Sequence, residues 1–288
     1  MVKLKAFAKI NLSLRVLSLR DDGFHNLESL MQSVSLCDYV TVEFAASGIE
    51  VTCDDPRVPV GPKNIAYKAA EKLLGMSDEV SGVRVHIEKR IPMAAGLAGG
   101  SADAAAVLFG LNSLIPRTSQ LTPKKLLDLG GQIGSDVSFC LTGGICLVEG
   151  RGEKVTQQEP WPKTYFILVK PDFEVSTKWA YEEFDKMFLP KADAPLAHNE
   201  GKNYLELPVI GKFPEIGRIK EKLLALGCSE AQMSGSGPTV FGVVNKRADA
   251  EVILEKIKKE YTRSYLVETI EKGIEALTPN PSSRGRGA

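Results

Sequence analysis

The sequence predicts an α+β protein built from two domains. Its 288 residues exceed the length of one typical domain, and 43% of them are hydrophobic, which is enough to bury two cores. Segments with the alternating pattern of strands and segments with helical periodicity follow one another, and no internal repeat is found. The stretch "PWPK" at 160–163 is a candidate boundary, so we expect one domain over residues 1–160 and a second over residues 161–275.

Glycine-rich turns divide the first half into strands and helices. Alternation predicts strands at 10–16, 38–44 and 82–91 and a hairpin at 143–155, and helical periodicity predicts helices at 63–75, 101–114 and 122–134. The turn "DDG" at 21–23 ends the first strand. Ser101 and Thr122 stand at the starts of two of these helices and are candidate N-caps.

The second half has a different order of elements. Strands are predicted at 165–169, on both sides of a Gly/Pro turn within 229–245, and at 264–269, with helices at 176–188, 213–227 and 247–261. The final segment "TPNPSSRGRGA" has no apolar periodicity, and we expect residues 276–288 to form a disordered tail.

Charge and cysteine content argue against a nucleic-acid-binding, membrane-bound or disulfide-bonded protein. The 36 Lys and Arg residues are balanced by 36 Asp and Glu residues, so no global positive field exists to attract nucleic acid or an anionic membrane. Lysines interrupt the N-terminal apolar stretch too often for a signal peptide, and no segment resembles a membrane span. The five cysteines include no C-x-x-C pair, which favours reduced thiols. We expect a cytoplasmic protein without a nucleic-acid or membrane partner.

The segment "IPMAAGLAGGSADAAA" at 91–106 connects a predicted strand to a predicted helix. Free backbone N–H groups and the positive end of a helix dipole would meet there, and such a place binds phosphate. The segment matches neither the G-x-x-x-x-G-K-[ST] of a P-loop nor the G-x-G-x-x-G of a dinucleotide fold. On its glycines alone, a tight structural connection is as good an interpretation as a phosphate site.

Three segments in chain order resemble the signatures of the GHMP kinase superfamily: "KINLSLRV" at 9–16, "PMAAGLAGGSADAAA" at 92–106 and "QMSGSGPTVFGVV" at 232–244. Together with "DDGFHNLESLMQSVSLCD" and "GSDVSFCLTGG", they are most similar to the members that phosphorylate a cytidine diphosphate-linked methylerythritol. The resemblance implies a ribosomal-S5-like N-terminal domain, a ferredoxin-like C-terminal domain and an active site between them. The departures are small, since Ser138 replaces a common proline and alanines replace some loop glycines.

The resemblance also implies ATP, as its Mg²⁺ complex, as the phosphoryl donor and a small cytidine diphosphate-linked polyol as the acceptor. The residues expected to bind the phosphates of ATP are Pro92, Met93, Ala94, Ala95, Gly96, Leu97, Ala98, Gly99, Gly100 and Ser101. Asp103 would either help to hold hydrated Mg²⁺ or stabilise the helix N-terminus. The metal ligands are otherwise unassigned, and we expect a monomer or a weak homodimer.

Phosphoryl transfer needs positioning, charge neutralisation and a group that accepts the hydroxyl proton. From the residues alone, Asp136 in "GQIGSDVSF" would be a local turn cap and Lys9 a charge at a strand edge. The resemblance reverses that interpretation, because Asp136 aligns with the family's catalytic base. Lys9 aligns with the lysine that fixes this carboxylate and the acceptor hydroxyl. A lysine close to Asp136 would keep the carboxylate ionised.

The residues that recognise the acceptor's base are assigned by resemblance. Phe24 and Tyr181 align with aromatic residues that stack on cytosine, and His25 with the residue that reads the base edge. Without the resemblance, Phe24 and His25 would be an ordinary core and surface pair. The other two histidines, His86 and His198, are expected to be solvated.

Four further residues would surround the reacting groups. Asn11 lies two residues from Lys9 on the same strand face and would orient the substrate, although a solvated strand residue is an equal alternative. Ser234, Gly235 and Ser236 form a bare turn that would close over the reaction centre, although an ordinary hairpin has the same composition.

Two other functions fit parts of this pattern. Another kinase of the superfamily, such as homoserine or mevalonate kinase, would share the loop, but its acceptor has no base to stack on the "GFHN" segment. An S5-like nucleic-acid-binding or nucleotide-sensing protein would need neither Lys9 nor Asp136, and the zero net charge argues against nucleic acid.

Overall fold

The strands of residues 1–76, 80–188 and 202–277, which the computed structural model describes, form two separate sheets. The strands are β1 (Val2–Asn11), β2 (Arg15–Leu19), β3 (His25–Phe44), β4 (Gly48–Cys53), β5 (Gly82–Glu88), β6 (Ile145–Gly150), β7 (Lys154–Gln157), β8 (Tyr165–Val169), β9 (Glu230–Met233), β10 (Val240–Val244), β11 (Ser264–Glu268) and β12 (Ile274–Ala276). The helices are α1 (Ile65–Leu74), α2 (Gly99–Leu114), α3 (Pro123–Ile133), α4 (Val137–Thr142), α5 (Thr177–Phe188), α6 (Glu206–Lys212), α7 (Glu215–Ala225) and α8 (Arg247–Ile257). The predicted α+β class is confirmed.

The first sheet is organised around β3, which is 20 residues long. β3 pairs with β1 and β2 along one edge and with β5 and β6 along the other. Helix α2 packs on β1 and β3, and its neighbours are α1, α3 and α4. This packing brings the end of β1 close to the starts of α2 and α4, because all three border the same buried cluster. The end of β1 carries Lys9 and Asn11.

The second sheet is antiparallel, with the strand order β11-β8-β10-β9. Along the chain its elements run β8, three helices, β9, β10, α8 and β11, so one helical segment follows the first strand and one follows the third. This is the ferredoxin-like arrangement, and that expectation is confirmed. Phe166, Leu168, Phe241 and Val267 from this sheet join the core cluster of the first domain, so the two domains share an apolar interface.

The course of the first predicted strand and the start of the helix after the glycine-rich loop differ from the structure. The strand expected at 10–16 is interrupted, because the N–H groups of Leu12 and Ser13 both donate to the carbonyl of Leu30, at 2.7 and 3.3 Å. Leu14 N then donates to the carbonyl of Lys202 in the second domain at 2.7 Å, and the chain pairs with β3 again only as β2. Ser101 does not cap its helix, since α2 already begins at Gly99 behind the left-handed Ala98.

The sequence patterns missed several elements. The first part of β3 has no simple alternation because buried side chains lie on both of its faces. α4 has only six residues, and β12 has three. β12 pairs with β1, so the expected tail begins inside the first sheet, and its residues from 278 onwards lie outside the described part. The boundary at 160/161 falls between β7 and β8 and stays a prediction.

Candidate active site

A cavity of about 1220 Å³ lies between the two domains. Binding sites for one drug-sized ligand measure about 300–1,000 Å³, so this cavity has room for two substrates. The first domain contributes the end of β1, the start of β3, the loop before α2 and the turn before α4. The second domain contributes α5 and the turn between β9 and β10. The cavity is where the sequence resemblance puts the active site.

Lys9 and Asp136 meet in this cavity. Lys9 Nζ lies 3.6 Å from Asp136 Oδ2, and their side chains are 5% and 28% exposed. Asp136 occupies the N-cap position of α4, but its side chain makes no capping hydrogen bond there. The carboxylate is therefore directed at Lys9 and the cavity, and the local turn cap is not what the structure shows. A buried ammonium beside an accessible carboxylate suits a group that must remain a proton acceptor.

Asn11 holds Lys9 in place. Lys9 Nζ donates to Asn11 Oδ1 at 2.6 Å and to the carbonyl of Gly96 at 3.3 Å. Asn11 Nδ2 in turn donates to Ser29 Oγ at 2.8 Å, so the amide oxygen is directed at the lysine. Asn11 is only 2% exposed, so it is not a solvated strand residue. Its side chain contacts Lys9, which makes it a positioning group for the ammonium.

The loop before α2 ends in an uncapped helix N-terminus. Ala94, Gly96 and Ala98 have positive φ angles of 47°, 73° and 57°, which fold the loop tightly. The first helical bond of α2 runs from Ala102 N to Ala98 O, and the cap residue offers no side-chain acceptor. In the described part of the chain, the N–H groups of the first turn thus lack helical partners. Free N–H groups and the positive end of a helix dipole meet at this loop, as an anion site requires, and the assignment of its residues to phosphate stays a prediction.

Nine of the ten loop residues predicted to bind phosphate line the cavity, and Leu97 does not. Leu97 is 1% exposed, and its carbonyl accepts from Lys9 N at 3.1 Å, so its side chain belongs to the core. Leu97 therefore contributes no side chain to the cavity, and its assignment to the residues that bind the phosphates stays a prediction.

The turn between β9 and β10 packs directly on this loop. A Cβ added to Gly96 would lie 2.2 Å from the carbonyl oxygen of Ser234, so only glycine allows this approach. Ser234 Oγ donates to Gly96 O at 2.9 Å and accepts from Asn11 N at 3.2 Å. Ser234 is fully buried and does not line the cavity, so its assignment as a substrate contact is corrected. Its hydroxyl instead links the second domain to the first through hydrogen bonds. Gly235 and Ser236 do line the cavity.

A buried cluster of charged side chains stabilises the start of α2. Lys89 Nζ lies 2.7 Å from Asp103 Oδ2 and 2.5 Å from Asp38 Oδ2. Burial raises the pKa of Asp103 well above its usual range, although Lys89 opposes this. Burial lowers the pKa of Lys89, but the two carboxylates outweigh burial and hold it above its ordinary value. Asp103 therefore ties the first turn of α2 to the end of β5, which favours its structural role over a metal-binding one.

The residues predicted to bind the base also line the cavity. Phe24 is 51% exposed, while His25 is 9% exposed. The His25 ring stacks on Tyr181, with centroids 4.9 Å apart and planes inclined by 21°. Burial, followed by the charge of Asp136, raises the pKa of Tyr181, so it is a neutral ring at physiological pH. The structure thus gives His25 a ring partner of its own, which the sequence did not predict.

Sequence reasoning missed four groups at the site. Ser29 accepts a hydrogen bond from Asn11, and Lys89 donates one to Asp103. The local sequence pattern indicates neither of these bonds. The Arg151 guanidinium lies 5.2 Å from the centre of the Phe24 ring and lines the cavity. Asp185 lies 2.8 Å from His25. Its spacing of four residues from Tyr181 on a predicted helix is a signal that could have identified it.

The remaining sequence expectations concern the cysteines, the other histidines and membranes. All five cysteines are free, which confirms the expected thiols. His86 is exposed as expected, and His198 lies outside the described residues. Within the described residues, no helix is long and apolar enough to cross a membrane.

Comparisons with known proteins agree with this geometry. The family described as "GHMP kinases N terminal domain" matches residues 64–144, and "GHMP kinases C terminal" matches residues 191–263. A 4-diphosphocytidyl-2-C-methyl-D-erythritol kinase of Clostridium botulinum (strain Eklund 17B / Type B) is 41% identical over 93% of this chain and 100% of its own length. The kinase of the same name from Acetivibrio thermocellus is 43% identical over 93% of this chain and 99% of its own length.

Solved structures give the same result. A crystal structure of 4-(cytidine 5'-diphospho)-2C-methyl-D-erythritol kinase has a TM-score of 0.75 and 32% identity, covering 93% of this chain and 98% of that one. A homoserine kinase from Cytophaga hutchinsonii has a TM-score of 0.73 at 20% identity, covering 96% and 97%, and this likeness shows the fold alone. The chain therefore belongs to the GHMP kinases and, within them, to the 4-diphosphocytidyl-2-C-methyl-D-erythritol kinase family.

Proposed function

We propose that this protein transfers the γ-phosphoryl group of ATP to the 2-hydroxyl of 4-diphosphocytidyl-2-C-methyl-D-erythritol, giving the 2-phosphate and ADP. The reaction belongs to the non-mevalonate (MEP) route to isoprenoid precursors. The observation that carries the proposal is the Lys9–Asp136 pair, 3.6 Å apart, in a cavity that also contains the uncapped N-terminus of α2. Relatives of that name at about 41% identity support this choice of acceptor.

Asp136 accepts the proton in the proposed reaction. The acceptor oxygen forms a bond to the γ-phosphorus, the bond from that phosphorus to the leaving ADP oxygen breaks, and the hydroxyl proton passes to Asp136. Lys9 lies beside Asp136 and contacts the acceptor oxygen as it approaches. Asn11 and the carbonyl of Gly96 hold the ammonium in position for both contacts.

The loop before α2 binds the phosphates of ATP in this proposal. The free N–H groups of Gly99, Gly100 and Ser101 would donate to phosphate oxygens, and the helix dipole would add a positive partial charge. Membership of a kinase family implies ATP as the donor, and a cavity of about 1220 Å³ accommodates it together with an acceptor.

The donor set of the cavity fits Mg²⁺ that arrives bound to ATP. Among the described residues, no group of three His, Cys, Asp or Glu side chains could form a metal cage. Mg²⁺ in phosphoryl-transfer sites takes its ligands largely from phosphates and water, with few protein groups. The Ser101 hydroxyl, which lines the cavity, would be the protein ligand. Bound Mg²⁺ would neutralise charge on the β- and γ-phosphates.

The acceptor's base binds at the part of the cavity that Phe24, His25 and Tyr181 line. Phe24 and Tyr181 supply aromatic surfaces, and His25 supplies a polar ring atom. Arg151, which lies over the Phe24 ring, would place a cation beside the acceptor's diphosphate. Homoserine or mevalonate as acceptor would leave these groups without a partner, and an S5-like binding protein would need no Lys9–Asp136 pair.

The expected environment of the protein stays a proposal. A small-molecule acceptor agrees with the cavity between the domains, whereas a cytoplasmic location, the lack of a nucleic-acid partner and a monomeric or weakly dimeric state are inferred from composition and resemblance. Size-exclusion chromatography with light scattering would decide the oligomeric state.

A panel of acceptors tests the proposed function. The purified protein is incubated with ATP and Mg²⁺ and with the cytidine diphosphate-linked methylerythritol, homoserine or mevalonate, and ADP is measured. We expect turnover with the first acceptor only, and ³¹P NMR should locate the new phosphate on its 2-hydroxyl. Turnover with homoserine or mevalonate, or ADP release that no acceptor stimulates, would overturn the proposal.

A further inference from the structure

Asp185 is placed to control the ring of His25. His25 Nε2 lies 2.8 Å from Asp185 Oδ1, and the two side chains are 8% and 28% exposed. Asp185 lies one helical turn after Tyr181 on α5, so the residue that stacks on His25 and the residue that bonds to it share one helix face. Two contacts from a single rigid element therefore hold the imidazole.

We propose that Asp185 is a positioning residue that fixes the tautomer of His25 and thereby makes the site choose cytosine over uracil. The inference rests on the proposed function, because it assumes a nucleobase at the part of the cavity that His25 lines. Asp185 need not touch the acceptor, since it acts through His25.

The chemistry of the imidazole sets the direction of the effect. In the neutral ring one nitrogen donates a hydrogen bond and the other accepts one. An ionised carboxylate can only accept, so contact with Asp185 places the proton on Nε2 and leaves Nδ1 as an acceptor. Among the described residues, His25 Nδ1 has no hydrogen-bond partner, and His25 lines the cavity. In this proposal, Nδ1 is the ring atom that meets a ligand in the cavity.

Cytosine and uracil differ at the group that meets such an acceptor. Cytosine carries an exocyclic amine, which donates, where uracil carries a carbonyl oxygen, which only accepts. An acceptor at Nδ1 would bond to the amine and would face the uracil oxygen without a shared proton. A site with a fixed hydrogen-bonding group rejects an analogue that cannot satisfy it. The opposite tautomer would reverse that preference.

The test replaces Asp185 by Asn, which keeps the size but can present either an amide oxygen or an N–H group to Nε2. We expect Asp185→Asn to lower the ratio of kcat/KM for the cytidine-linked over the uridine-linked acceptor by roughly 10-fold or more. Asp185→Glu retains a carboxylate and should restore part of the ratio. Glu183→Gln removes a carboxylate from the same helix, outside the cavity, and should leave the ratio unchanged.

A second measurement is independent of activity. In the ¹⁵N-labelled protein, the NMR shifts of the His25 nitrogens should show a protonated Nε2 and an unprotonated Nδ1, and Asp185→Asn should mix the tautomers. A proton on Nδ1 in the parent, or an unchanged acceptor ratio in Asp185→Asn, would overturn the inference. If the parent phosphorylates neither nucleotide-linked acceptor, the proposed function fails instead, and the two failures are therefore distinguishable.

Discussion

Two groups of cavity residues, which we call the reacting end (Lys9, Asn11, Asp136) and the base end (Phe24, His25, Tyr181), are built in different ways. At the reacting end, Lys9 and Asn11 are at most 4% exposed and are held by bonds from β1, β3 and the loop before α2. At the base end, Phe24 is half exposed, and His25 is held by one ring stack and one bond to Asp185. On the proposed function, we expect a division of roles, in which the buried network sets the rate and the few contacts of the base end set the choice of acceptor.

The largest expected effect lies at the reacting end. Asp136→Asn keeps the size of the side chain but removes the proton acceptor, so kcat should fall by roughly 10² to 10⁴ while the KM for both substrates changes little. Asp128→Asn, an exposed position on α3, is the matched control and should retain parental turnover. Wild-type turnover in Asp136→Asn, under conditions where chemistry limits the rate, would remove Asp136 from the proposed mechanism.

A change in the loop before α2 should alter the kinetics with ATP and leave those with the acceptor unchanged. Ser101→Ala removes a hydroxyl that we expect to contact the bound metal or a phosphate, and a hydrogen bond to a charged group contributes about 1.5–3 kcal/mol. The kcat/KM for Mg–ATP should therefore fall roughly 10- to 100-fold, with the acceptor KM unchanged. Ser113→Ala removes a hydroxyl from the other end of α2 and serves as control. Equal ATP kinetics in both variants would contradict a role for Ser101.

A change at the base end should alter the kinetics with the acceptor and leave those with ATP unchanged. Tyr181→Ala removes a stacking surface and the ring that supports His25, so kcat/KM for cytidine- and uridine-linked acceptors should fall about 10-fold or more. Tyr181→Phe keeps the ring and should keep most of the affinity. If Tyr181→Ala instead weakened ATP, the base would not lie at this end of the cavity.

The smallest expected effect concerns stability. Ala98 has a φ angle of 57°, which costs a non-glycine residue about 1–2 kcal/mol. Ala98→Gly should therefore raise the free energy of unfolding slightly, by less than about 1 kcal/mol, because glycine also makes the unfolded chain more flexible. Ala104→Gly, in the interior of α2, should lower it by about 1 kcal/mol. Denaturant unfolding measures both, and the same sign for the two variants would contradict the strain assigned to Ala98.

The sequence predicted the parts of the site that carry motifs and missed the parts that depend on distant pairing. The motif residues Lys9, Gly96 and Asp136 do meet in one cavity. Ser101 was assigned as a cap because it has the right side chain, but the left-handed Ala98 starts the helix earlier. Lys89 bonds to Asp103, 14 positions away, and the local pattern does not indicate that pair. The spacing of Asp185 from Tyr181 indicates a shared helix face, but it does not indicate the bond from Asp185 to His25, 160 positions away.

Local sequence patterns also predicted the strands of the second sheet better than those of the first. The second sheet was predicted well because turns separate its strands and their burial is continuous. Most of β3 was missed because it pairs along both edges and has buried side chains on both faces, which removes the alternation expected of a half-exposed strand.

One measurement tests the division of roles most directly. The ratio of kcat/KM for the cytidine-linked over the uridine-linked acceptor is compared between the parent and Asp136→Asn. If the buried Lys9–Asp136 pair sets the rate and the His25 end sets the choice, the ratio should stay within about threefold of the parent's although turnover has fallen by roughly 10² to 10⁴. A ratio that falls together with the turnover would show that the same groups carry both rate and choice, and would contradict the account.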